Sequence, residues 1–167
     1  MVVHIYTGNG GGKTTAALGL ALRAVGHGKN VVVIQFMKGR KETGEYKIRN
    51  KLGRHYKIYQ FGRKEFVNLE NPAEEDVKLA NKALVFAKSI LPKADILILD
   101  EINVAVRFKL VSERYVMDFM KEVPKNKWVV LTGRYASEQL FEYADFVTEM
   151  KDLKHPKKMH YEKGIEW

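Results

Sequence analysis

The stretch Thr7-Gly8-Asn9-Gly10-Gly11-Gly12-Lys13-Thr14-Thr15 decides the fold of this chain. It follows an apolar run over residues 2–6, which predicts a strand, and it opens an apolar helical segment over residues 14–25. A glycine-rich turn between a strand and a helix is the context that a phosphate-binding loop requires. Backbone N–H groups of such a loop point into one concavity, and the helix N-terminus adds partial positive charge. The stretch therefore predicts a binding site for the phosphates of a nucleotide.

The last residues of this loop indicate how phosphate is held. Lys13 has the length to reach phosphate oxygens, and the Thr14 hydroxyl is of the type that ligates Mg²⁺. The match to Gly-x-x-x-x-Gly-Lys-[Ser/Thr] is imperfect, because Thr7 stands where the motif begins with glycine. A glycine-rich hairpin is the competing interpretation, but a hairpin does not normally run through Gly-Lys-Thr-Thr into a long apolar helix. We therefore expect residues 7–15 to bind a nucleotide.

Composition narrows the class of protein. The chain has 167 residues, of which 46% are hydrophobic and 29% charged, as in one globular domain. No run approaches the roughly 18 apolar residues of a membrane span, and no basic region precedes an apolar signal segment, so we expect a cytoplasmic protein without membrane association. The absence of cysteine excludes disulfides and thiolate metal sites.

The net charge of +9 has three interpretations. A basic chain suits nucleic acid, polyphosphate ligands or an acidic protein partner. The lysines are scattered, with one denser patch at the C-terminus. Nucleic acid is therefore the less favoured ligand.

The rest of the chain alternates strands and helices. Strands are predicted at residues 31–36, 55–61, 95–100, 128–134 and 145–149, and helices at 71–91, 112–122 and 137–143. The second helix is predicted to begin with Asn71 as N-cap, Pro72 in the first helical position and Glu74 in the capping-box position. This alternation predicts a three-layer α/β fold, a mostly parallel sheet with helices on both faces. We expect one phosphate-loop NTPase domain of the RecA-like kind over residues 1–167, with the C-terminal tail 151–167 near the active site.

Charged residues recur where the predicted strands end, and that edge of a parallel sheet is where ligands bind. Asp100 and Glu101 end the strand over residues 95–100, which is typical of an acid placed beside Mg²⁺. Lys38 and Arg134 follow two other strands and are candidate ligand contacts. Solvated surface charge is an equally good interpretation of either residue taken alone.

The sequence lacks an evident catalytic base. The five histidines are scattered without metal-site spacing, and Gly-x-Ser-x-Gly is absent. A phosphate-loop site without a base fits an ATPase motor, a small-molecule kinase or a transferase that uses ATP without needing a base. Local spacing leaves these classes open, together with a nucleotide-binding regulator that performs no catalysis.

A series of sequence blocks carries a resemblance that favours one class. The blocks cover residues 6–10 and 12–17, 23–28, 35–39 with 44–45, 99–103, 131–134, 144–145 with 147–150, 154–156 and 163–166. In this order they resemble the ATP:corrinoid adenosyltransferases of the phosphate-loop type, over almost the whole chain. The threonine at the head of the phosphate loop is itself a feature of that family.

The resemblance implies transfer of the 5′-deoxyadenosyl group of ATP to the Co(I) centre of a corrinoid, with release of triphosphate, in adenosylcobalamin synthesis or salvage. Co(I) is a strong nucleophile that attacks C5′ without a proton relay, which explains the missing base. Carried over, Lys13 and the loop amides hold the phosphates, Asn9 lies beside the nucleotide, and Thr14 with Asp100 and Glu101 holds Mg²⁺. The resemblance also implies a homodimer, and the basic charge suits an acidic flavoprotein reductase as electron donor.

A second task that the resemblance implies is removal of the lower axial ligand of Co(II), which makes the metal easier to reduce. Phe66 is the matching residue. The sequence departs from much of the family at Asn68, where a tryptophan is usual, and at Gly11, where a lysine is usual. From these departures we expect less efficient ligand displacement and the loss of one charge-assisted phosphate contact.

Overall fold

The computed structural model describes residues 1–156 and 162–165. The predictions made for residues 157–161 and 166–167, which include part of the tail and the end of the last resemblance block, lie outside the described residues. No helix in the described part of the chain is long and apolar enough to cross a membrane.

Strands and helices alternate along the described chain. The strands are β1 (Val2–Thr7), β2 (Val31–Phe36), β3 (Tyr56–Phe61), β4 (Ile96–Asp100), β5 (Trp128–Thr132) and β6 (Phe146–Glu149). The helices are α1 (Lys13–Gly26), α2 (Gly44–Lys47), α3 (Arg49–Leu52), α4 (Glu74–Ile90), α5 (Ile102–Arg107), α6 (Glu113–Glu122) and α7 (Glu138–Phe141), with 3₁₀ turns at Gly53–His55 and Leu91–Lys93.

The described strands form one six-stranded sheet in the order β3-β2-β4-β5-β1-β6. Every pairing between neighbouring strands is parallel. Parallel strands place all their carboxyl ends at one edge, so the loops after β1, β2, β3, β4 and β5 meet there. The prediction of a parallel sheet is confirmed.

Helices cover both faces of the sheet, as predicted. The larger core joins α4, α5 and α6 to one face through residues such as Ile34, Leu99 and Leu131. The smaller core joins α1 to the opposite face through Ala17, Ala21 and Ala24. The strands buried between the two layers are the β-branched runs β2 and β4, whose residues are all buried. Their continuous apolar sequence is what burial on both faces requires.

Helix α1 has the predicted apolar sequence but is not buried on all sides. Only one alanine-rich stripe is buried, whereas Leu22 is 59% exposed. Small side chains let the helix approach the sheet closely, and the opposite side faces solvent.

Two boundaries at the sheet edge were predicted wrongly. Helix α4 begins at Glu74 with Ala73 as its N-cap, and the Asp76 carboxylate, not Glu74, accepts a hydrogen bond from the Ala73 N–H at 3.3 Å. Asn71 and Pro72 therefore lie before the helix. The second error is the segment after Glu101, where no helix was predicted and the short helix α5 forms.

Candidate active site

The phosphate loop, residues 7–15, joins β1 to α1 at the carboxyl edge of the sheet. Gly8 and Gly12 both have φ of 96°, a left-handed conformation that glycine adopts without steric cost. Lys13 is only 8% exposed, and its ammonium group donates a hydrogen bond to the Gly10 carbonyl within the loop. The loop thus holds its lysine against its own backbone.

The segment after β6 forms the outer wall of this loop. The Gly10 N–H donates to the Met150 carbonyl at 2.8 Å, and the Met150 N–H donates to the Thr7 carbonyl at 2.9 Å. A Cβ at Gly8 would lie 2.3 Å from the Met150 carbonyl oxygen, far inside van der Waals contact. The Asp152 N–H also approaches the Asn9 side-chain oxygen at 3.4 Å. The beginning of the tail therefore packs directly on the phosphate loop.

Thr7, the unusual first residue of the motif, has a structural contact. Its hydroxyl accepts a hydrogen bond from the Ala136 N–H at 3.2 Å, and the residue is 7% exposed. This bond joins the head of the phosphate loop to the turn that follows β5. A glycine at this position would lack that bond.

Asp100 lies at the centre of the site and is fully buried. Its Oδ1 accepts hydrogen bonds from the hydroxyl groups of Thr14 at 2.8 Å and Thr132 at 2.7 Å. Its Oδ2 accepts from the amide of Gln35 at 3.0 Å and from the ammonium group of Lys38 at 2.8 Å. We call these five residues the Asp100 cluster. Four donors satisfy the carboxylate that the sequence placed at a strand end.

The Asp100 cluster continues a polar row across neighbouring strands. Gln60 on β3 is in register with Gln35 on β2, and Gln35 is in register with Asp100 on β4. The Gln60 amide donates to the Gln35 side-chain oxygen at 3.0 Å, and the Gln35 amide also reaches Glu45 at 3.2 Å. This row fixes the orientation of the buried carboxylate from the side opposite to the phosphate loop.

The charges of the site are set by this geometry. Burial alone would raise the pKa of Asp100, but the charge and hydrogen bonds of its partners, Lys38 first, hold that pKa below its usual range. Burial likewise acts against the Lys38 charge, but Asp100 and Glu101 raise the pKa of Lys38 above its usual value. The pair is therefore ionised at neutral pH.

Glu101 and Lys13 lie close to this pair, and nearby charges of both signs act on each of them. Burial and the charge of Asp100 raise the pKa of Glu101. Burial and the nearby Arg134 lower the pKa of Lys13, although Glu101 acts in the opposite direction. Glu101 itself has φ of 66° and ends β4 in a left-handed turn that starts α5. Among these carboxylates, Glu101 is the easier one to protonate.

A cleft of about 440 Å³, which we call the phosphate cleft, opens above these groups. Its polar lining consists of residues 10–15, Glu101 and Arg134. Its apolar wall consists of Leu69, Val104, Phe108 and Tyr135. A second cleft of about 600 Å³ lies on the β6 side of the loop and shares Arg134 and Tyr135 with the first.

Asn103 ties the ends of two strands together behind the phosphate cleft. It is fully buried, and its amide donates to the Gly133 carbonyl at 3.1 Å and approaches the Tyr6 carbonyl at 3.4 Å. Gly133, with φ of 129°, permits this approach, because a Cβ there would lie 3.1 Å from the Asn103 Cβ. Asn103 thereby sets the distance between the starts of the phosphate loop and of the turn that carries Arg134.

The segment that carries Phe66, residues 62–71, follows β3 and is held mainly at its base. The Arg63 guanidinium makes two hydrogen bonds of 2.8 Å to the Asp76 carboxylate. At its far end, the Asn68 side-chain oxygen accepts hydrogen bonds from the N–H groups of Glu70 at 3.2 Å and Asn71 at 3.4 Å. Asn68, which stands where much of the family has tryptophan, thus forms a turn within the segment.

Phe66 itself is 86% exposed. Its described ring contact is the Arg40 guanidinium, whose central carbon lies 4.6 Å from the ring centroid. Arg40 also donates to the Lys64 carbonyl at 3.0 Å. Leu69, three residues further on, is the member of this segment that lines the phosphate cleft. The structure therefore separates Phe66 from the residues it brings together around Lys13.

The structure places some of the predicted site residues at the clefts and others elsewhere. Lys38 was predicted to contact the ligand and is bound to Asp100, while Arg134 lines both clefts. A Cβ added at Gly11 would meet nothing within 4 Å, so the usual lysine would be accommodated there. Sequence reasoning assigned no role to Gln35 or Thr132, although both are polar residues inside otherwise apolar strand runs.

The donor set fits Mg²⁺ held jointly with phosphate. The described residues contain no group of three or more histidine, cysteine, aspartate or glutamate side chains that would hold a metal ion by themselves. Thr14 donates its proton to Asp100, which leaves its oxygen lone pairs available to a cation. Mg²⁺ in nucleotide sites characteristically takes one or two carboxylates together with substrate phosphates and waters. Thr14, Asp100 and Glu101 supply that minimal set.

Comparisons with known proteins agree with this geometry. The family model described as ATP:corrinoid adenosyltransferase BtuR/CobO/CobP matches residues 1–167. A corrinoid adenosyltransferase from Sinorhizobium sp. is 39% identical over 159 residues, which cover 93% of this chain and 74% of the relative. A corrinoid adenosyltransferase from Escherichia coli K12 is 36% identical over 156 residues, which cover 92% and 78%.

Among solved structures, a KaiC-like protein from the hyperthermophilic archaeon Pyrococcus horikoshii OT3 superimposes with a TM-score of 0.55. The match covers 91% of this chain and 72% of that protein at 17% sequence identity. A likeness at that identity shows the fold alone. It confirms the predicted three-layer α/β architecture.

Proposed function

Because the chain belongs to the ATP:corrinoid adenosyltransferase family and is therefore an enzyme that adenosylates corrinoids with ATP, we propose the following assignment of its residues. The enzyme transfers the 5′-deoxyadenosyl group of ATP to the Co(I) centre of a corrinoid and releases triphosphate. The observation that carries this proposal is the composition of the phosphate cleft. Its described lining offers cations and amides for a polyphosphate, and Glu101 as its acid, but no histidine.

The step balances without a base. Co(I) supplies both electrons of the new Co–C5′ bond, and the C5′–O bond breaks with its electron pair leaving on triphosphate. No proton moves, so what the protein must stabilise is the negative charge that develops on the leaving oxygens. Preorganised donors aimed at developing charge are the most effective form of such catalysis. The amides of residues 8–14 other than that of Gly10, whose N–H donates to Met150, and the Lys13 ammonium perform that task.

Two clefts offer further contacts to ATP. The cleft on the β6 side of the loop is lined by Thr7, Gly8 and Asn9, and the phosphate cleft is lined by Gly10, Gly11, Gly12, Lys13, Thr14 and Thr15. Arg134 lines both clefts. We assign Thr14, Asp100 and Glu101 to Mg²⁺, which when bound neutralises charge on the phosphates. Lys38 and Arg134 are the additional cations at this edge of the sheet.

The sheet order constrains how ATP lies if Phe66 displaces the lower axial ligand. Phe66 follows β3, whereas the phosphate loop follows β1, four strand positions away. Neighbouring strands are about 4.8 Å apart, so these two elements begin about 19 Å from one another. The reacting C5′ must therefore point from the loop toward β4 and β2, where Leu69 brings the Phe66 segment to the cleft.

The alternative of a phosphate-loop ATPase or small-molecule kinase is not favoured by the named relatives. We further propose one domain over residues 1–167, with its C-terminal tail 151–167 near the active site, acting as a cytoplasmic homodimer. The net charge of +9 supports an acidic flavoprotein reductase as the source of the electron. A rate of reduction with such a partner that is insensitive to salt would count against that assignment.

The test of the proposed reaction is anaerobic incubation with Mg-ATP and chemically reduced cob(I)alamin. The corrinoid absorbance spectrum is followed and the phosphate product is identified. The proposal expects light-sensitive adenosylcobalamin and triphosphate in equal amounts. An unchanged corrinoid spectrum with accumulating ADP and orthophosphate would replace the transferase with an ATPase.

A further inference from the structure

Lys38 occupies a position that the proposed reaction does not by itself explain. It follows β2 on a loop, and its ammonium group lies 2.8 Å from the Asp100 carboxylate instead of facing the phosphate cleft. Its side chain is 32% exposed, while that of Asp100 is fully buried. A cation on a long flexible stem therefore neutralises the buried acid that is assigned to Mg²⁺.

The hydrogen bonds of Asp100 identify which donor is able to leave. Thr132 and Gln35 are fully buried strand residues, and Gln35 is held in place by Gln60. Thr14 keeps its bond to Asp100 even when its oxygen faces a cation, because a hydroxyl both donates and accepts. Lys38 is the donor that carries charge, has a partly exposed side chain and is attached to a loop.

Two cations cannot share Asp100 without repulsion. The carboxylate accepts four hydrogen bonds, two at each oxygen, so a divalent ion beside Thr14 at Oδ1 faces the Lys38 ammonium at Oδ2 across one carboxylate. In a buried site that repulsion is poorly screened. The phosphates of ATP bring fresh negative charge to the same edge and offer the ammonium group a second partner.

We propose that Lys38 is an exchangeable cation: it holds the Asp100 carboxylate in its orientation until Mg-ATP arrives, and it then moves from Asp100 to the phosphate chain. This exchange rests on the proposed magnesium site at the phosphate loop. It makes metal and nucleotide arrive together, because metal alone must displace Lys38 without giving it a new partner. Lys38 is thus a positioning residue for Asp100 in one state and a ligand contact in the other.

The exchange is tested by metal binding without corrinoid. Mn²⁺, a paramagnetic substitute for Mg²⁺, is titrated into nucleotide-free protein and its free concentration is read by electron paramagnetic resonance. Lys38→Met should bind Mn²⁺ about tenfold or more tightly than the wild type, within the usual range of coupling between two ligands of one site. The same variant should bind Mn-ATP less tightly relative to Mn²⁺ alone, because it has lost its phosphate contact.

Three variants serve as controls. Lys41→Met removes an equal charge from an exposed residue of the same loop and should change Mn²⁺ affinity less than about twofold, since exposed charges are screened. Lys38→Arg keeps the charge and should stay near the wild type. Asp100→Asn should abolish tight Mn²⁺ binding. Equal effects of Lys38→Met and Lys41→Met, or unchanged binding in Asp100→Asn, would overturn the exchange.

A measurement on the wild-type protein keeps the test decisive if Lys38→Met does not fold. The Nζ resonance of Lys38 in ¹⁵N-lysine-labelled protein is assigned by its loss in Lys38→Arg. It should shift on addition of Mg-ATP and stay in place with ATP in the presence of EDTA. No shift with Mg-ATP, or the same shift without metal, would contradict the proposal. Because no corrinoid is present, these results stand whether or not adenosyl transfer is detected.

Discussion

The phosphate loop and the Phe66 segment lie at the same edge of the sheet but are built in opposite ways. Around the loop, Lys13 is 8% exposed and Asp100 is fully buried with four hydrogen-bond donors. On the segment, Phe66 is 86% exposed and contacts the Arg40 guanidinium. One half of the site is buried and fully hydrogen-bonded, whereas the other is tied to the core through Arg63 and Leu69 and leaves Phe66 exposed.

This difference fits the roles that we propose for the two halves. Stabilising charge on a leaving group requires donors that are fixed before the reaction, because reorganisation would cost part of the gain. Covering one face of a large corrinoid requires an apolar side chain that is accessible to it. We therefore expect substitutions around the loop to affect every reaction of the enzyme and substitutions on the segment to affect only the step from Co(II).

The largest expected effect is that of Lys13→Ala. It removes the buried ammonium that we assign to the phosphates, and loss of one preorganised donor typically costs about 10²–10³ in rate. We expect at least such a loss of kcat/KM with cob(I)alamin, with an unchanged circular dichroism spectrum. Undiminished turnover would remove the phosphate loop from the mechanism.

The next largest effect is expected from Gly8→Ala, and Gly11→Ala in the same loop provides the comparison. Gly8→Ala introduces a Cβ 2.3 Å from the Met150 carbonyl at φ of 96°, so we expect a loss of about 1–3 kcal/mol in the free energy of unfolding, with weaker ATP binding. Gly11→Ala meets nothing within 4 Å and serves as the matched control. Urea denaturation and ATP titration of both variants measure the difference. Equal destabilisation would show that the wall formed by Met150 does not shape the loop.

A smaller effect is expected at the base of the Phe66 segment. Hydrogen bonds from Arg63 hold the pKa of Asp76 below its usual range, so Asp76 stabilises the folded state above its unfolded pKa of about 3.9. That contribution is lost as the pH falls through the lower, folded pKa. Asp76→Asn should therefore be less stable than the wild type at pH 7, and the gap should narrow toward pH 3. A gap independent of pH, measured by urea denaturation, would show that the ion pair does not anchor the segment.

The smallest effect is that of Arg40→Met. An exposed cation–π contact is worth about 0.5–1 kcal/mol, so we expect the rate from cob(II)alamin to fall about two- to fivefold, because Phe66 loses its stacked partner. The rate from cob(I)alamin should stay the same. Parallel single-turnover assays from the two oxidation states measure both values, and a loss shared equally by both would place Arg40 at the nucleotide instead.

The sequence predicted the strand, glycine turn and helix of the phosphate-loop half because their order is coded locally. The order strand, glycine turn, helix fixed the position of Lys13 and Thr14, and alternating apolar segments predicted the parallel sheet. Asp100 was recognisable as an acid at the end of an apolar strand. These features depend on residues that are neighbours in the chain.

The remaining features depend on residues that are distant in the chain. Lys38 and Asp100 are 62 positions apart, and their ion pair arises only because β2 and β4 are adjacent in the sheet. The contact of Met150 with the loop depends on β6 lying next to β1. At α4, Asp76 accepts the N–H of Ala73 at the start of the helix and also binds Arg63, 13 positions earlier, a contact that the signal at Asn71 does not indicate.

Phe66→Ala tests most directly the proposal that the phosphate loop serves every reaction and the Phe66 segment only the step from Co(II). Single-turnover rates are measured with Mg-ATP from cob(I)alamin, and from cob(II)alamin with a reductant in excess. We predict that the variant keeps the wild-type rate from cob(I)alamin and loses most of the rate from cob(II)alamin. Because the side chain is exposed, stability should change by less than about 0.5 kcal/mol. Equal losses from both starting states would contradict the assignment of Phe66 to the lower axial face.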